Sequence, residues 1–110
     1  MECRFSQRAL SDLRAIGRHI AKESPGNAKS YVKQLTAHCR KTALSPKIRR
    51  IVAHLEGVPL RKALHGNYQI YYAVLEESGD IQGIEVVHVR HGVRHGARLE
   101  PIFGNDGTIT

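Results

Sequence analysis

The sequence predicts an α+β domain of two layers, an N-terminal helical hairpin packed on a mainly antiparallel sheet of three to four strands. Three observations lead there. Up to about residue 43, apolar residues recur at spacings of three and four. From residue 60 to residue 91 they alternate, with tight-turn residues between the runs. Each helix carries a single apolar stripe, so the pair needs a further apolar surface to cover.

Taken in order, residues 1–5 can form a short strand. Ala9, Leu13, Ile16 and Ile20 then make one face of an amphipathic helix, while Arg8, Asp12, Arg14, Arg18 and Lys22 belong in water. Ser6 suits the N-cap, where a hydroxyl meets amides that have no helical partner. In ESPGNA, Pro25 ends one helix and suits the first position of the next, with Ser24 as its cap. The second helix runs from about Pro25 to Ala43 and buries Ala28, Tyr31, Leu35, Cys39 and Thr42. A turn this short makes the two helices an antiparallel hairpin.

Residues 44–59 read as irregular, because Pro46, Gly57 and Pro59 interrupt any long element. Strand chemistry follows: LRKALH (60–65), a Gly66–Asn67 turn, YQIYYAVLEE (68–77), an SGD turn (78–80) and IQGIEVVHVRH (81–91). Tyr68, Tyr71 and Tyr72 are expected in the core or on a sheet face, and His19, His38, His54 and His65 at the surface. The domain is expected to span residues 1–100, with 101–110 as a C-terminal tail.

The 110 residues suffice for one domain with a real core. Seventeen Lys and Arg against ten Asp and Glu give a net charge of +7. That excess favours polyanionic partners such as nucleic acid, the ribosome, an acidic lipid surface or an acidic protein segment. No apolar run approaches the roughly 18 residues of a membrane span, and MECRFSQRAL lacks a signal-peptide core. A cytoplasmic protein with reduced Cys3 and Cys39 is expected. The densest feature is VVHVRHGVRHGARLE, residues 86–100, with three histidines and three arginines between His88 and Arg98.

Four segments, in this order and spacing, resemble the ParE/RelE toxin superfamily and its ParE-like branch: RFSQRALSDLRAIGRHI, ESPGNAKSYVKQLTAHCRKTALSP, PLRKALHGNYQIYYAVLE and IEVVHVRHGVRHGARL. Together they cover nearly everything from Cys3 to Leu99. Many ParE-like chains carry an acid after the final HGxR, where this chain has His95. The resemblance implies the toxin of a type II toxin–antitoxin module. Such a toxin is held in a hetero-oligomer with a cognate antitoxin and poisons DNA gyrase, often in the setting of plasmid stabilisation. RelE-like members instead cut mRNA in the ribosomal A site.

Both readings draw on the same residues. A RelE-type nuclease needs a base for the 2′-OH, cations on the phosphate and an acid for the leaving oxygen. Arg61, Arg90 and His91 are the candidates for those roles. RHGVR (90–94) and RHGAR (94–98) share letters with the histidine-phosphatase motif, but too little chain follows to build that fold. His88, His91 and His95 suggest a zinc site, yet strand alternation separates His88 from His91, and the arginines between them repel a dication. No metal and no cofactor are expected. What remains is a basic contact surface of Arg61, Arg90, His91, Arg94 and Arg98, whose guanidinium forks suit carboxylate or phosphate. It would face the antitoxin and gyrase, or in the alternative reading the ribosome and mRNA, with no part for a membrane.

Overall fold

The protein is described from a computed structural model that covers residues 1–92 and a two-residue strand at 107–108. Strand β1 (Glu2–Phe5) leads directly into helix α1 (Gln7–Glu23). Ser6 joins them and serves both. Its hydroxyl accepts the amide of Ala9 at 3.0 Å, capping the helix, and donates to the carbonyl of Val87 at 3.1 Å. Ser24 then separates α1 from helix α2 (Pro25–Thr42), with Pro25 in the first turn. Its hydroxyl makes no bond to the α2 backbone; it accepts the Asn27 side-chain amide at 2.7 Å instead. The cap expected at Ser6 is therefore present, and the one at Ser24 is replaced by a side-chain contact.

The remaining strands are β2 (Ile51–Leu55), β3 (Val58–His65), β4 (Tyr68–Glu77), β5 (Asp80–His91) and β6 (Gly107–Thr108). Their spatial order is β1-β5-β4-β3-β2-β6. All neighbours are antiparallel except β1 and β5, which run parallel. The α+β class holds, with a wider sheet than the sequence suggests. The segment read as irregular contains β2, paired with β3 through a turn at Glu56 and Gly57. Both residues of that turn have positive φ, 51° and 84°, the conformation that two-residue hairpins favour. Gly57 thus marks a turn between two strands, while Pro59 takes a place within β3.

The main core lies between the helices and the sheet. Ala9, Leu13 and Ile16 of α1 and Leu35 and Cys39 of α2 meet Ala63, Tyr68, Ile70, Tyr72, Ile84, Val86 and Val89 of the sheet. The predicted α1 stripe is in it, with Ile20 at its margin. Of the predicted α2 stripe, Leu35 and Cys39 are in it, Tyr31 is at its margin, Thr42 is buried and Ala28 is only half-buried. Each large side chain sealed here contributes about 1.5–3 kcal/mol. Cys39 is fully buried, which pushes its thiol up to about 12 and leaves it an inert apolar group. Among the described residues, no helix is long and apolar enough to cross a membrane.

Gly83 fixes how β1 joins the sheet. It pairs with Glu2, has φ of 148°, and a Cβ placed there would sit 1.9 Å from the Glu2 carbonyl oxygen. Only a residue without a side chain allows that approach. Because β1 pairs only with residues 83–86, the end of β5 beyond Val86 has no strand on that side among the described residues. Helix α1 lies beside it.

Candidate functional site

The α1–β5 junction is built around one carboxylate. Asp12 Oδ2 accepts the backbone amide of Val89 at 2.9 Å and lies 2.7 Å from His88 Nδ1. The first contact satisfies an edge amide that the missing strand leaves open. The second fixes the imidazole. Nδ1 donates to Asp12, which leaves Nε2 as an acceptor, 3.4 Å from Arg8 Nη2. His88 is buried and stacks on Tyr71 at a centroid distance of 6.2 Å. Burial lowers its pKa, a hydrogen bond to Asp12 opposes that shift, and the nearby Arg8 reinforces it.

A groove of about 450 Å³ opens beside this network. Asp12, Ala15, Ile16 and His19 of α1 form one wall, and Tyr68, Val89, Arg90 and His91 form the other. His91 is exposed and sets its ring edge-on to Tyr68, 5.3 Å between centroids and 86° between planes. Its Nδ1 lies 3.1 Å from the Gly92 carbonyl. The groove therefore combines apolar side chains with two imidazoles, a guanidinium and a carboxylate.

The sequence-predicted residues do not all meet there. Arg90 and His91 share the groove. In the register Arg90 opposes Gln69, while His91 opposes the core residue Tyr68, so their side chains leave the sheet on opposite faces. Arg61 opposes Tyr72, four residues along β3 from the His65 that faces Tyr68, and its guanidinium donates to the carbonyl of Arg49 in the α2–β2 segment. Arg94 and Arg98 lie outside the described residues, as does His95. Among the described residues, no three His, Cys, Asp or Glu side chains gather as a metal-ligand set.

The site also contains groups that the sequence hides. Asp12 reads as a solvent-facing helix residue and is in fact half-buried against His88. The only signal is that it is the sole acid of α1 before Glu23. His38 and His65, expected at the surface, are half-buried and meet Nδ1 to Nδ1 at 2.8 Å. At least one of the two must be neutral, since two imidazoliums have no acceptor to share. From them a series of ring contacts runs His38–His65–Tyr31–Tyr68–His91, crossing from α2 to the end of β5.

Comparison with protein families matches residues 3–96 to the model described as the ParE toxin of type II toxin-antitoxin system, parDE. No curated protein matches the chain.

Proposed function

This chain belongs to the ParE toxin family of type II toxin–antitoxin systems, and on that premise we propose that it arrests growth by binding and poisoning DNA gyrase. A toxin of such a module has an antitoxin partner, and here the antitoxin restrains the chain in a hetero-oligomer. The site of action is the cytoplasm, and the toxin contributes recognition with no bond-breaking chemistry of its own.

The observation that supports binding over cleavage is the separation of Arg61 from Arg90 and His91. A phosphate-cleaving centre requires its cations and its acid or base to converge within hydrogen-bond reach of one phosphate. Arg61 is instead tied to the Arg49 carbonyl two strands away from β5. Arg90 and His91 line a groove together with the apolar side chains of Ala15, Ile16 and Val89. Apolar contact with charged groups at the rim is the composition of a protein-recognition surface. The contact residues we assign are Arg90 and His91, with Arg94 and Arg98 following them in the sequence and Arg61 as a separate basic point.

Induction of the chain without its antitoxin tests the reading. DNA synthesis should stop before translation, with gyrase-linked strand breaks in the chromosome. Early loss of translation, with mRNA cut at ribosomal A-site codons, would replace it with the RelE-like endonuclease.

A further inference from the structure

A second cavity lies at the C-terminal end of α2. It has a volume of about 360 Å³ and is lined by His38, Lys41, Thr42, Leu44, Ser45, Ile48 and Arg49. We propose that it is a binding site for a terminal phosphate group, either inorganic phosphate or the phosphomonoester of a small molecule such as a mononucleotide.

Charge is the first argument. Two permanent cations, Lys41 and Arg49, line the pocket together with an imidazole and the hydroxyl residues Thr42 and Ser45, and none of the seven residues is acidic. Among the described residues, Lys41 and Arg49 form no ion pair. The cation close by that does, Lys47, is neutralised by Glu76. The C-terminus of α2 contributes about half a negative charge, which the two full positive charges exceed. Capping moderates it further, because the amides of Ala43, Leu44 and Ser45 bond the carbonyls of Cys39, Lys41 and Thr42.

Preorganisation is the second. The segment between α2 and β2 that carries Ser45, Ile48 and Arg49 is held at three points. Tyr72, fully buried, donates its hydroxyl to the Pro46 carbonyl at 2.7 Å. Lys47 pairs with Glu76, and Arg61 donates to the Arg49 carbonyl. A pocket whose walls are fixed before binding loses little entropy when a ligand enters.

The rim gives the third. Leu44 and Ile48 are 65% and 76% exposed, two large apolar side chains beside a cationic cavity. They offer an apolar surface to whatever the phosphate is attached to, and the cavity falls within the range of small-molecule sites. His38 supplies a reporter. Its pKa is lowered by burial first, then by His65 of β3, Arg49 of the connecting segment and Lys41 of α2. An anion between Lys41 and Arg49 offsets two of those causes and moves His38 back up.

The test is titration of the full chain at constant ionic strength with inorganic phosphate, adenosine 5′-monophosphate or adenosine. Calorimetry gives the affinity, and amide and imidazole NMR signals give the location. Phosphate and the mononucleotide should perturb Lys41, Ser45 and Arg49 saturably and raise the His38 titration midpoint, and adenosine should do neither. Tighter binding of the mononucleotide than of phosphate identifies an organic phosphate that uses the Leu44–Ile48 rim. Equal or weaker binding identifies the inorganic ion. Lys41→Gln with Arg49→Gln should weaken binding about tenfold or more. Lys29→Gln with Lys33→Gln, which removes the same charge elsewhere on α2, should leave it unchanged. The thermal midpoint of each ligand-free variant verifies folding. The site is refuted if the pocket signals do not saturate, if both double variants weaken binding alike, or if adenosine binds as tightly as its monophosphate.

Discussion

The α1–β5 junction and the segment between α2 and β2 handle charge in opposite ways. At the α1–β5 junction, Asp12 serves two donors at once, the Val89 amide and the His88 imidazole, and Arg8 stands behind the histidine. Opposite charges are interleaved there and the polar groups satisfy one another. At the α2–β2 segment the backbone is tied down by Tyr72, Lys47 and Arg61, while Lys41 and Arg49 have no acid beside them in the pocket. The first arrangement stabilises the fold and shapes a groove. The second leaves positive charge available to a ligand. A basic protein need not be uniformly basic, and its net charge of +7 does not reveal which of its cations are committed.

The strongest way to break the first region is at Gly83. Gly83→Ala puts a methyl group against the Glu2 carbonyl and should dislodge β1, at a cost of about 4 kcal/mol, measured by denaturant unfolding. Asp12→Ala should be next, at roughly 2–3 kcal/mol, because it strands the Val89 amide and the His88 Nδ1–H together. In the second region Tyr72→Phe removes one tether and leaves the Pro46 carbonyl without its donor. The expected loss is about 1–2 kcal/mol. If Tyr72→Phe proves the more damaging of the last two, the contrast between the regions is wrong.

Protonation sharpens the comparison with smaller effects. The pKa values of His38 and His88 are both lowered in the fold, with burial the largest cause in each. The unfolded chain therefore binds more protons than the folded one below about pH 6.5. This contribution to stability is complete above that pH and is lost as the pH falls through it toward the folded values. The secondary causes differ, so the two sites should separate. Asp12→Asn removes the carboxylate that pulls His88 upward and should lower its NMR midpoint further, leaving His38 unmoved. Arg49→Gln should raise His38 and leave His88 where it was.

Much of this architecture was legible in the sequence where one physical signal acts alone. The stripe of Ala9, Leu13 and Ile16, the Ser6 cap and the alternation Tyr68, Ile70, Tyr72 each follow from periodicity or from a local donor count. Strand β2 was hidden because IVAHL is short and lies between Pro46 and Gly57, residues that as readily mark a loop. At Val87 the β4–β5 register slips, with Tyr71 opposite His88 and Tyr72 opposite Val86. No sequence rule announces that bulge, yet it lies beside the residue that meets Asp12. The candidate site was half legible. Arg90 and His91 lie together, Arg61 lies apart, and Asp12 reads as a water-facing residue because its partner is 76 residues away. Contacts made across that much chain leave no local pattern.

The most direct measurement of the central claim is a supercoiling assay with purified gyrase and relaxed plasmid, run with the chain and with its Arg90→Glu variant. Loss of supercoiling with protein-linked double-strand breaks is the predicted result, together with relief of both by Arg90→Glu in a variant that still folds. Unchanged supercoiling at a stoichiometric excess of folded toxin would contradict the account.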